Sequence, residues 1–294
     1  MSNKLRSDLL LFLASVIWGF AFVAQRVGMD YVGPFTYNGV RFTLGTLVLV
    51  PFLVNGKKFT PSDTGKNISR KQLILGVLAA GVLLFLGVSL QQVGLMTTTA
   101  GKAGFITGLY VVLVPIVGIF LGHKSSPLVW LGVLLSATGL YLLCIKSGFT
   151  IERGDLLVLG CAFVFTFHVL LIGWLSPRMN SFHLAAGHFA VCATLNLIVA
   201  FSIESVVASK IIEAAIPILY GGAISVGIAY TLQVVAQKNA HPAYASIILS
   251  LEAVFAAIGG WIILHETLSS RSLLGCFLML SGMMVVQLRT KNQG

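Results

Sequence analysis

Long apolar segments dominate the chain, and short polar stretches separate them. An α-helix rises 1.5 Å per residue, so about 20 apolar residues cross the roughly 30 Å hydrocarbon core of a bilayer. Ten segments meet this requirement, and we predict a transmembrane helix in each. They span residues 8–26, 35–54, 73–94, 99–121, 128–145, 155–175, 182–203, 214–236, 243–263 and 270–288. The longest connection between them, from about Asn55 to Gln72, is too short for a soluble domain.

Composition agrees with a polytopic membrane protein. Of the 294 residues, 57% are hydrophobic and only 10% are charged, a balance outside the usual range of soluble domains. Lys4 and Arg6 precede the first apolar run as in a signal peptide, but WGFAFVAQRVG offers no small-residue cleavage site, so we predict a retained helix. The cysteines lack the spacing of a zinc site or a disulfide framework, and we predict no metal and no cofactor.

Basic residues predict the orientation, because cytoplasmic loops of membrane proteins are enriched in Lys and Arg. With the N-terminus inside, twelve basic residues fall on the cytoplasmic side and six on the other. The twelve are Lys4, Arg6, Lys57, Lys58, Lys66, Arg70, Lys71, Lys124, Arg178, Lys238, Arg289 and Lys291. Both termini are therefore predicted to be cytoplasmic, in the cell membrane. This bias explains the net charge of +10 without a nucleic-acid partner, since the charges are spread over separate loops.

The second half of the chain repeats the first. At an offset of 147 residues, Asp8-Leu9-Leu10 aligns with Asp155-Leu156-Leu157, Trp18 with Phe165, and Arg41 with His188. At an offset of 142, Leu90-Gln91 aligns with Leu232-Gln233, Leu109 with Leu251 and His123 with His265. Five crossings in each half force the second copy to enter from the opposite side. We therefore predict an all-α integral membrane protein of ten transmembrane helices, in two five-helix inverted-topology repeats, residues 1–147 and 148–294.

Four stretches resemble the drug/metabolite transporter superfamily, EamA branch. They are ASVIWGFAFVAQR, VGPFTYNGVRF, TTTAGKAGFITGLYVVLVPIVGIFLGHK and SIILSLEAVFAAIGGWIILHET, in the first, second, fourth and ninth helices. The resemblance extends over nearly the whole chain and implies exporters and importers of amino acids and other small metabolites. The family motif in the ninth helix usually has an acid followed by proline. Here Ala253 follows Glu252, from which we expect a straighter helix.

Glu252 is the strongest candidate functional residue. It is the one charge between Ala243 and Leu264 and lies nine residues into its helix, about 14 Å deep. A carboxylate inside a membrane is by default a candidate for handling a substrate, an ion or a proton. The alternative is a structural acid paired with a neighbouring base or hydroxyl.

Two basic residues are further candidates. Lys102 begins the fourth helix and serves either as a substrate-carboxylate site or as a lipid-headgroup anchor. Arg41 lies seven residues into the second helix, with His188 at the equivalent position of the other half. It is either a cationic site or a cap for the carbonyls of a neighbouring helix.

Uncharged side chains complete the candidate site. Trp18, with Phe22 and Gln25 on the same helical face, predicts an aromatic wall with one polar group, although core packing is the alternative. Tyr110 occupies the repeat position of Glu252. Gln91 and Gln233 bind substrate or bridge helices. His168 is a lone polar residue in an apolar run, and it binds substrate or makes a satisfied interior contact, which is the default for such a residue.

The leading hypothesis is a secondary transporter of small metabolites, acting as an exporter by alternating access, with protons as the coupling ion. The interior residues suit amino acids and related zwitterionic or amphipathic compounds, and they also suit a cationic drug. The chain contains no GxxxxGK[ST] sequence, so we expect no ATP hydrolysis of its own. An uncoupled facilitator or channel of the same fold is the alternative. An intramembrane enzyme is a remote one, because neither HExxH nor paired aspartates occur. The predicted partners are the substrate, protons and lipid, and we predict either a monomer or a homodimer.

Overall fold

The computed structural model is built from helices and describes residues 3–54, 68–123, 125–144, 152–263, 265, 267 and 269–288. Five helices form the first half: α1 Asn3–Gly28, α2 Pro34–Val54, α3 Arg70–Gly94, α4 Ala100–Phe120 and α5 Pro127–Cys144. Five more form the second half: α6 Arg153–Leu175, α7 Ser181–Ile203, α8 Ala215–Ala236, α9 Pro242–Ile263 and α10 Ser270–Leu288. A short helix, Ala208–Glu213, precedes α8.

The helices present an apolar surface suited to lipid. Among the described residues, eight of them are long and apolar enough to cross a bilayer, and α5 and α10 are shorter apolar helices. Large apolar side chains point outward along the bundle, among them Leu47, Phe120, Phe201, Ile216 and Phe277. A multi-pass helical membrane protein is therefore confirmed, and the count of ten crossings stays a prediction. Several basic residues used for the orientation lie outside the described residues: Lys57, Lys58, Lys66, Lys124, Arg289 and Lys291.

Helix packing follows a reciprocal pattern. Helix α3 packs on α6 and α7, and α8 packs in the same way on α1 and α2. Helix α2 packs on α7, and α5 packs on α10. If α1 to α5 correspond to α6 to α10, the contacts of α3 map onto those of α8, and the α2–α7 and α5–α10 contacts each map onto themselves. This is the packing expected of a duplicated fold.

The contact between α5 and α10 depends on two glycines. A Cβ placed on Gly139 would lie 2.5 Å from the carbonyl oxygen of Gly275, and one placed on Gly275 would lie 2.5 Å from that of Gly139. Small residues let helix backbones approach closely in membranes, where dispersion forces replace the hydrophobic effect. Any larger side chain at either position would separate the two helices.

Helices α4 and α9 are interrupted at equivalent positions. The N–H of Leu109 donates to Ile106 O, and the N–H of Leu251 donates to Ile248 O, each at 3.2 Å. These bonds span three residues instead of four, which is the tighter 3₁₀ pattern. The expectation of a more regular α9 in the absence of proline is therefore wrong, because the interruption arises without one. Tyr110 and Glu252 each begin the second segment of their helix.

Glu204 links the two halves by capping α2. Its carboxylate, which follows the end of α7, accepts hydrogen bonds from the N–H of Phe35 at 2.9 Å, the N–H of Thr36 at 2.8 Å and the Thr36 hydroxyl at 2.6 Å. The first N–H groups of a helix have no intrahelical partner, and the helix dipole favours a negative charge beside them. The cap therefore fixes α2 against the end of α7.

We expect Glu204→Ala to destabilise the protein by about 1 to 2 kcal/mol, as loss of a helix cap usually does. The Gln variant retains one acceptor oxygen and should lose less. Thermal unfolding of the purified protein in detergent measures both, with Glu213→Ala, at the exposed end of the short helix Ala208–Glu213, as the matched control. Equal midpoints for Glu204→Ala and this control would show that the cap does not contribute to stability.

Candidate functional site

A cavity of about 40 Å³ lies between the two halves and contains most of the predicted site residues. Helices α1, α2, α3, α4, α6, α8 and α9 contribute to its wall. Seven of the eight candidate residues line it: Trp18, Arg41, Gln91, Tyr110, His168, Gln233 and Glu252. The volume suits about three water molecules at roughly 10 to 15 Å³ each. The cavity in this conformation therefore has room for water molecules and not for a metabolite.

Glu252 is buried in this cavity next to Tyr110. Its residue surface is 5% exposed. The Tyr110 hydroxyl lies within hydrogen-bonding reach of the carboxyl group, and Glu252 Oε1 has no hydrogen-bond partner among the described residues. The pair is adjacent because both residues begin a helix segment at the interruption of α4 and α9. A carboxylate oxygen is therefore available to a ligand in the cavity.

Arg41 is positioned by its own helix. Its Nε donates to Asn38 Oδ1 at 3.0 Å, and Asn38 Nδ2 in turn donates to the carbonyl of Val88 on α3 at 3.2 Å. The guanidinium lies over the rings of Tyr37 and Phe42, 5.4 and 5.0 Å from their centroids. Cation–π contacts of this kind stabilise a desolvated cation. The hydrogen bond to Asn38 and the two ring contacts hold the side chain in place while it faces the cavity.

The cavity wall therefore contains one carboxyl group and one guanidinium group. Arg41 is 2% exposed, and within the described ranges neither Arg41 nor Glu252 is part of an ion pair. The Tyr230 hydroxyl is within electrostatic range of both groups. Buried charges are costly unless they are paired. Two opposite charges that face one cavity without pairing are suited to a ligand with both signs of charge.

Trp18 forms an aromatic wall with Tyr230, a residue that the sequence analysis did not identify. The two ring centroids lie 4.5 Å apart, and the Trp18 indole N–H donates to the Ser225 carbonyl at 3.3 Å. Ser225 and Tyr230 belong to Tyr220–Tyr230, a π-helical stretch of α8. Such segments are rare and frequent at functional sites. The residues of the first half that correspond to Ser225 and Tyr230 are neither polar nor aromatic, so the repeat does not indicate either position.

Repeat-related residues meet at the cavity in three pairs. Gln91 corresponds to Gln233, Tyr110 to Glu252, and Trp18 to Phe165, and all six side chains line the wall. Gln91 Nε2 donates to Thr107 Oγ1 at 3.1 Å, which bridges α3 and α4. Gln233 Oε1 is buried without a hydrogen-bond partner in the described part of the chain. The offset of 147 residues relates Phe165 to Trp18, although Phe165 was not among the predicted site residues.

His168 lies in the wall beside a second imidazole. Its ring centroid is 5.6 Å from that of His188 and 6.3 Å from that of Tyr230. His188 Nδ1 is 2.6 Å from the Leu184 carbonyl, which identifies Nδ1–H as the donor. The Nε2 atoms of both histidines are buried without a partner among the described residues. His168 therefore has no satisfied interior contact at Nε2, contrary to the default expectation for a core histidine.

Lys102 lies outside the cavity. Its Nζ donates to Asp155 Oδ2 at 2.8 Å, at the beginning of α6. It lines a separate surface depression together with Arg26 and Glu152. Neither role expected for Lys102 includes Asp155 as a partner, because the spacing along the chain does not indicate that α4 and α6 begin side by side.

The comparisons with known proteins agree on one family. The sequence pattern of the EamA-like transporter family matches residues 5–145 and again residues 152–288. An uncharacterized transporter of Archaeoglobus fulgidus is 34% identical over 98% of this chain and 87% of its own length. The uncharacterized transporter YoaV of Bacillus subtilis is 23% identical over 91% of this chain and 92% of its own.

A solved crystal structure of another protein has the same fold. It superimposes with a TM-score of 0.77 over 97% of this chain and 98% of that chain, at 19% sequence identity. The family pattern covers nearly all residues, and the relative from Archaeoglobus fulgidus is similar along almost its whole length. The chain therefore belongs to the EamA-like transporter family.

Proposed function

We propose that the protein is a secondary transporter that exports small zwitterionic or amphipathic metabolites, amino acids among them, across the cytoplasmic membrane by alternating access. The observation behind this proposal is that the Glu252 carboxyl and the Arg41 guanidinium line one cavity and that neither forms an ion pair with a described residue. An ammonium group would bind Glu252 and a carboxylate would bind Arg41. Charge-assisted hydrogen bonds at both ends of the ligand would offset the free-energy cost of removing its hydration water.

The rest of the cavity wall supports the same ligand class. Trp18, Phe22, Phe165 and Tyr230 provide apolar and aromatic surface, which would enclose the side chain of an amino acid. Binding pockets typically combine such surface with a few polar groups that fix the orientation of the ligand. Gln233, whose Oε1 has no partner in the described residues, adds a polar group beside the aromatic surface.

Alternating access is proposed from the duplicated architecture. We take residues 1–147 and 148–294 as two five-helix repeats of opposite orientation, ten crossings in all. The reciprocal helix packing and the two separate family matches support this division. Inverted repeats can exchange conformations and so open a central site to either side in turn, and interrupted helices commonly form that site. Leu109 and Leu251 mark such interruptions.

Proton coupling is proposed through Glu252. A proton and a substrate ammonium would compete for the same carboxylate, so binding of one releases the other. Exchange of this kind would link export of the substrate to proton entry. The competing hypothesis is an uncoupled facilitator with the same binding site.

A ligand panel tests the two charged groups. Among the twenty standard amino acids, at least one should raise the thermal unfolding midpoint of the purified protein, because a ligand specific for the folded state stabilises it by mass action. For a response to leucine, for example, the probes are leucine, 3-methylbutylamine and 4-methylpentanoic acid. Glu252→Gln should weaken leucine and the amine about tenfold or more, and Arg41→Gln should weaken leucine and the acid, since each removes one charge-assisted contact.

Glu213→Gln is the matched control, since Glu213 is an exposed carboxylate far from the cavity that pairs with Lys210. A panel in which no amino acid changes the midpoint would refute the zwitterion proposal. Equal loss of amine and acid in both variants would show that the two charges do not act as separate poles.

Flux measurements test coupling. Proteoliposomes with an imposed pH gradient should concentrate the stabilising amino acid. Glu252→Gln should abolish this accumulation, whether the variant still exchanges substrate or has lost all flux. The amide keeps the size of the side chain but cannot take up and release a proton. Transport by the variant at the wild-type rate with unchanged response to the gradient would exclude Glu252 as the coupling site. Equal fluxes of the wild type with and without the gradient would favour the facilitator.

The orientation is tested by a reporter fused after Gly294. The excess of basic residues on one side predicts that the C-terminus is cytoplasmic. We expect a fused alkaline phosphatase to be inactive and a fused green fluorescent protein to be fluorescent. An active phosphatase and a non-fluorescent fluorescent-protein fusion would show that the C-terminus lies outside, and the proposed orientation would be wrong.

A further inference from the structure

The ion pair between Lys102 and Asp155 closes one end of the bundle. We call this the upper end, where Arg26, Thr99 and Arg153 lie, and the opposite end, with Asn3 and His241, the lower end. In addition to Lys102, Asp155 accepts hydrogen bonds from the Thr98 hydroxyl at 2.7 Å and from the N–H of Glu152 at 2.9 Å. The Asp155 side chain is 4% exposed and that of Lys102 is 18% exposed. The cluster joins the beginning of α4, in the first half, to the beginning of α6, in the second.

The equivalent residues at the lower end are apart. The 147-residue offset relates Asp155 to Asp8, and the 142-residue offset relates Lys102 to Tyr244 and Thr99 to His241. Asp8 has no ion pair and no hydrogen bond to any described residue. A cavity of about 330 Å³ lies between these elements and is lined by Lys4, Asp8, His241 and Tyr244 among others.

Close packing shows the same difference between the ends. At the upper end, Gly19 of α1 lies directly against Phe255 of α9, where a Cβ would clash. The equivalent of Gly19 in α6 is Thr166, whose hydroxyl donates to the Ala162 carbonyl. The second segment of α9 correspondingly packs more extensively on α1 than the second segment of α4 does on α6. The upper end is the more tightly closed of the two.

We infer that Lys102, Asp155 and Thr98 form the upper gate of the transport cycle, and that Asp8 with Tyr244 and His241 forms the lower gate in the alternate conformation. This rests on the proposed alternating-access function. When the upper cluster separates, the inverted symmetry brings the beginning of α1 onto that of α9. Asp8 then accepts hydrogen bonds from the Tyr244 hydroxyl and from His241.

His241 has the chemistry for this role. Burial lowers the pKa of its imidazole, and the neighbouring His123 lowers it further, so the ring is neutral near pH 7. Its Nδ1 accepts the N–H of Ala243 at 3.3 Å, as the N-cap of α9. A neutral ring with Nδ1 as acceptor carries its proton on Nε2. That N–H is a donor suited to a carboxylate such as Asp8.

The test measures both ends separately, on protein without substrate, by pulsed electron spin resonance. The four cysteines are replaced by alanine. One pair of spin labels, at Met96 and Arg153, reports the upper end, and a second pair, at Asn3 and Asn239, reports the lower end; all four side chains are exposed. Lys102→Met should shift the equilibrium about tenfold towards a longer upper and a shorter lower distance, since one charge-assisted hydrogen bond of the closed state is lost.

Further variants distinguish a gate from local loosening. Lys102→Arg should restore the wild-type distances, and Thr98→Val should give a smaller shift in the same direction. Adding Asp8→Ala to Lys102→Met should return the lower distance to its wild-type value, because the lower gate loses its acceptor. Asp30→Asn is the control, since it breaks the exposed Arg26–Asp30 pair at the same end.

Two results would overturn the inference: unchanged distances in Lys102→Met and Thr98→Val, or a longer upper distance without a shorter lower one. Because no substrate is present, a wrong substrate class leaves this test intact. Failure here in turn leaves the amino-acid panel standing, so the two proposals fail separately.

Discussion

The structure depends on how it accommodates charge in a medium that does not solvate it. A carboxylate or a guanidinium inside hydrocarbon must find a partner within the protein. Glu204 meets this constraint with three donors at the start of α2, and Asp155 meets it with Lys102, Thr98 and a backbone N–H. Both clusters join one half of the chain to the other. The charges that hold the halves together are thus fully partnered.

Arg41 and Glu252 are the contrast. Arg41 is supported by Asn38 and two aromatic rings, and Glu252 is beside Tyr110, but neither is neutralised by an ion pair in the described residues. An unpaired buried charge costs stability, and proteins keep such groups where a function requires them. The same physical rule therefore separates the structural carboxylates from the one that faces the cavity.

The sequence predicted a multi-pass helical membrane protein because apolar length is a local property of each segment. The arrangement of ten crossings in inverted repeats stays a prediction. The sequence also predicted that Trp18, Gln91 and Glu252 share one site, since depth along a helix and polarity in an apolar run indicate the interior. It could not predict the partner of Lys102, which depends on which helix ends are neighbours. Tyr230 was missed because an aromatic residue in an apolar helix looks like packing, and the π-helical stretch that aims it has no signature in the chain. The expected regularity of α9 was wrong because its 3₁₀ turn does not need a proline.

The two halves share a fold but differ in the side chains at equivalent positions. At the interrupted helices the first half has Tyr110 where the second has Glu252, and in the paired helices Arg41 stands where His188 does. Under the proposed function, the first half contributes the guanidinium and the second half the carboxyl group, so a zwitterion would have one orientation across the interface of the halves. Separating the halves would then weaken the contacts to one end of the ligand relative to the other, which would couple its release to the proposed conformational change.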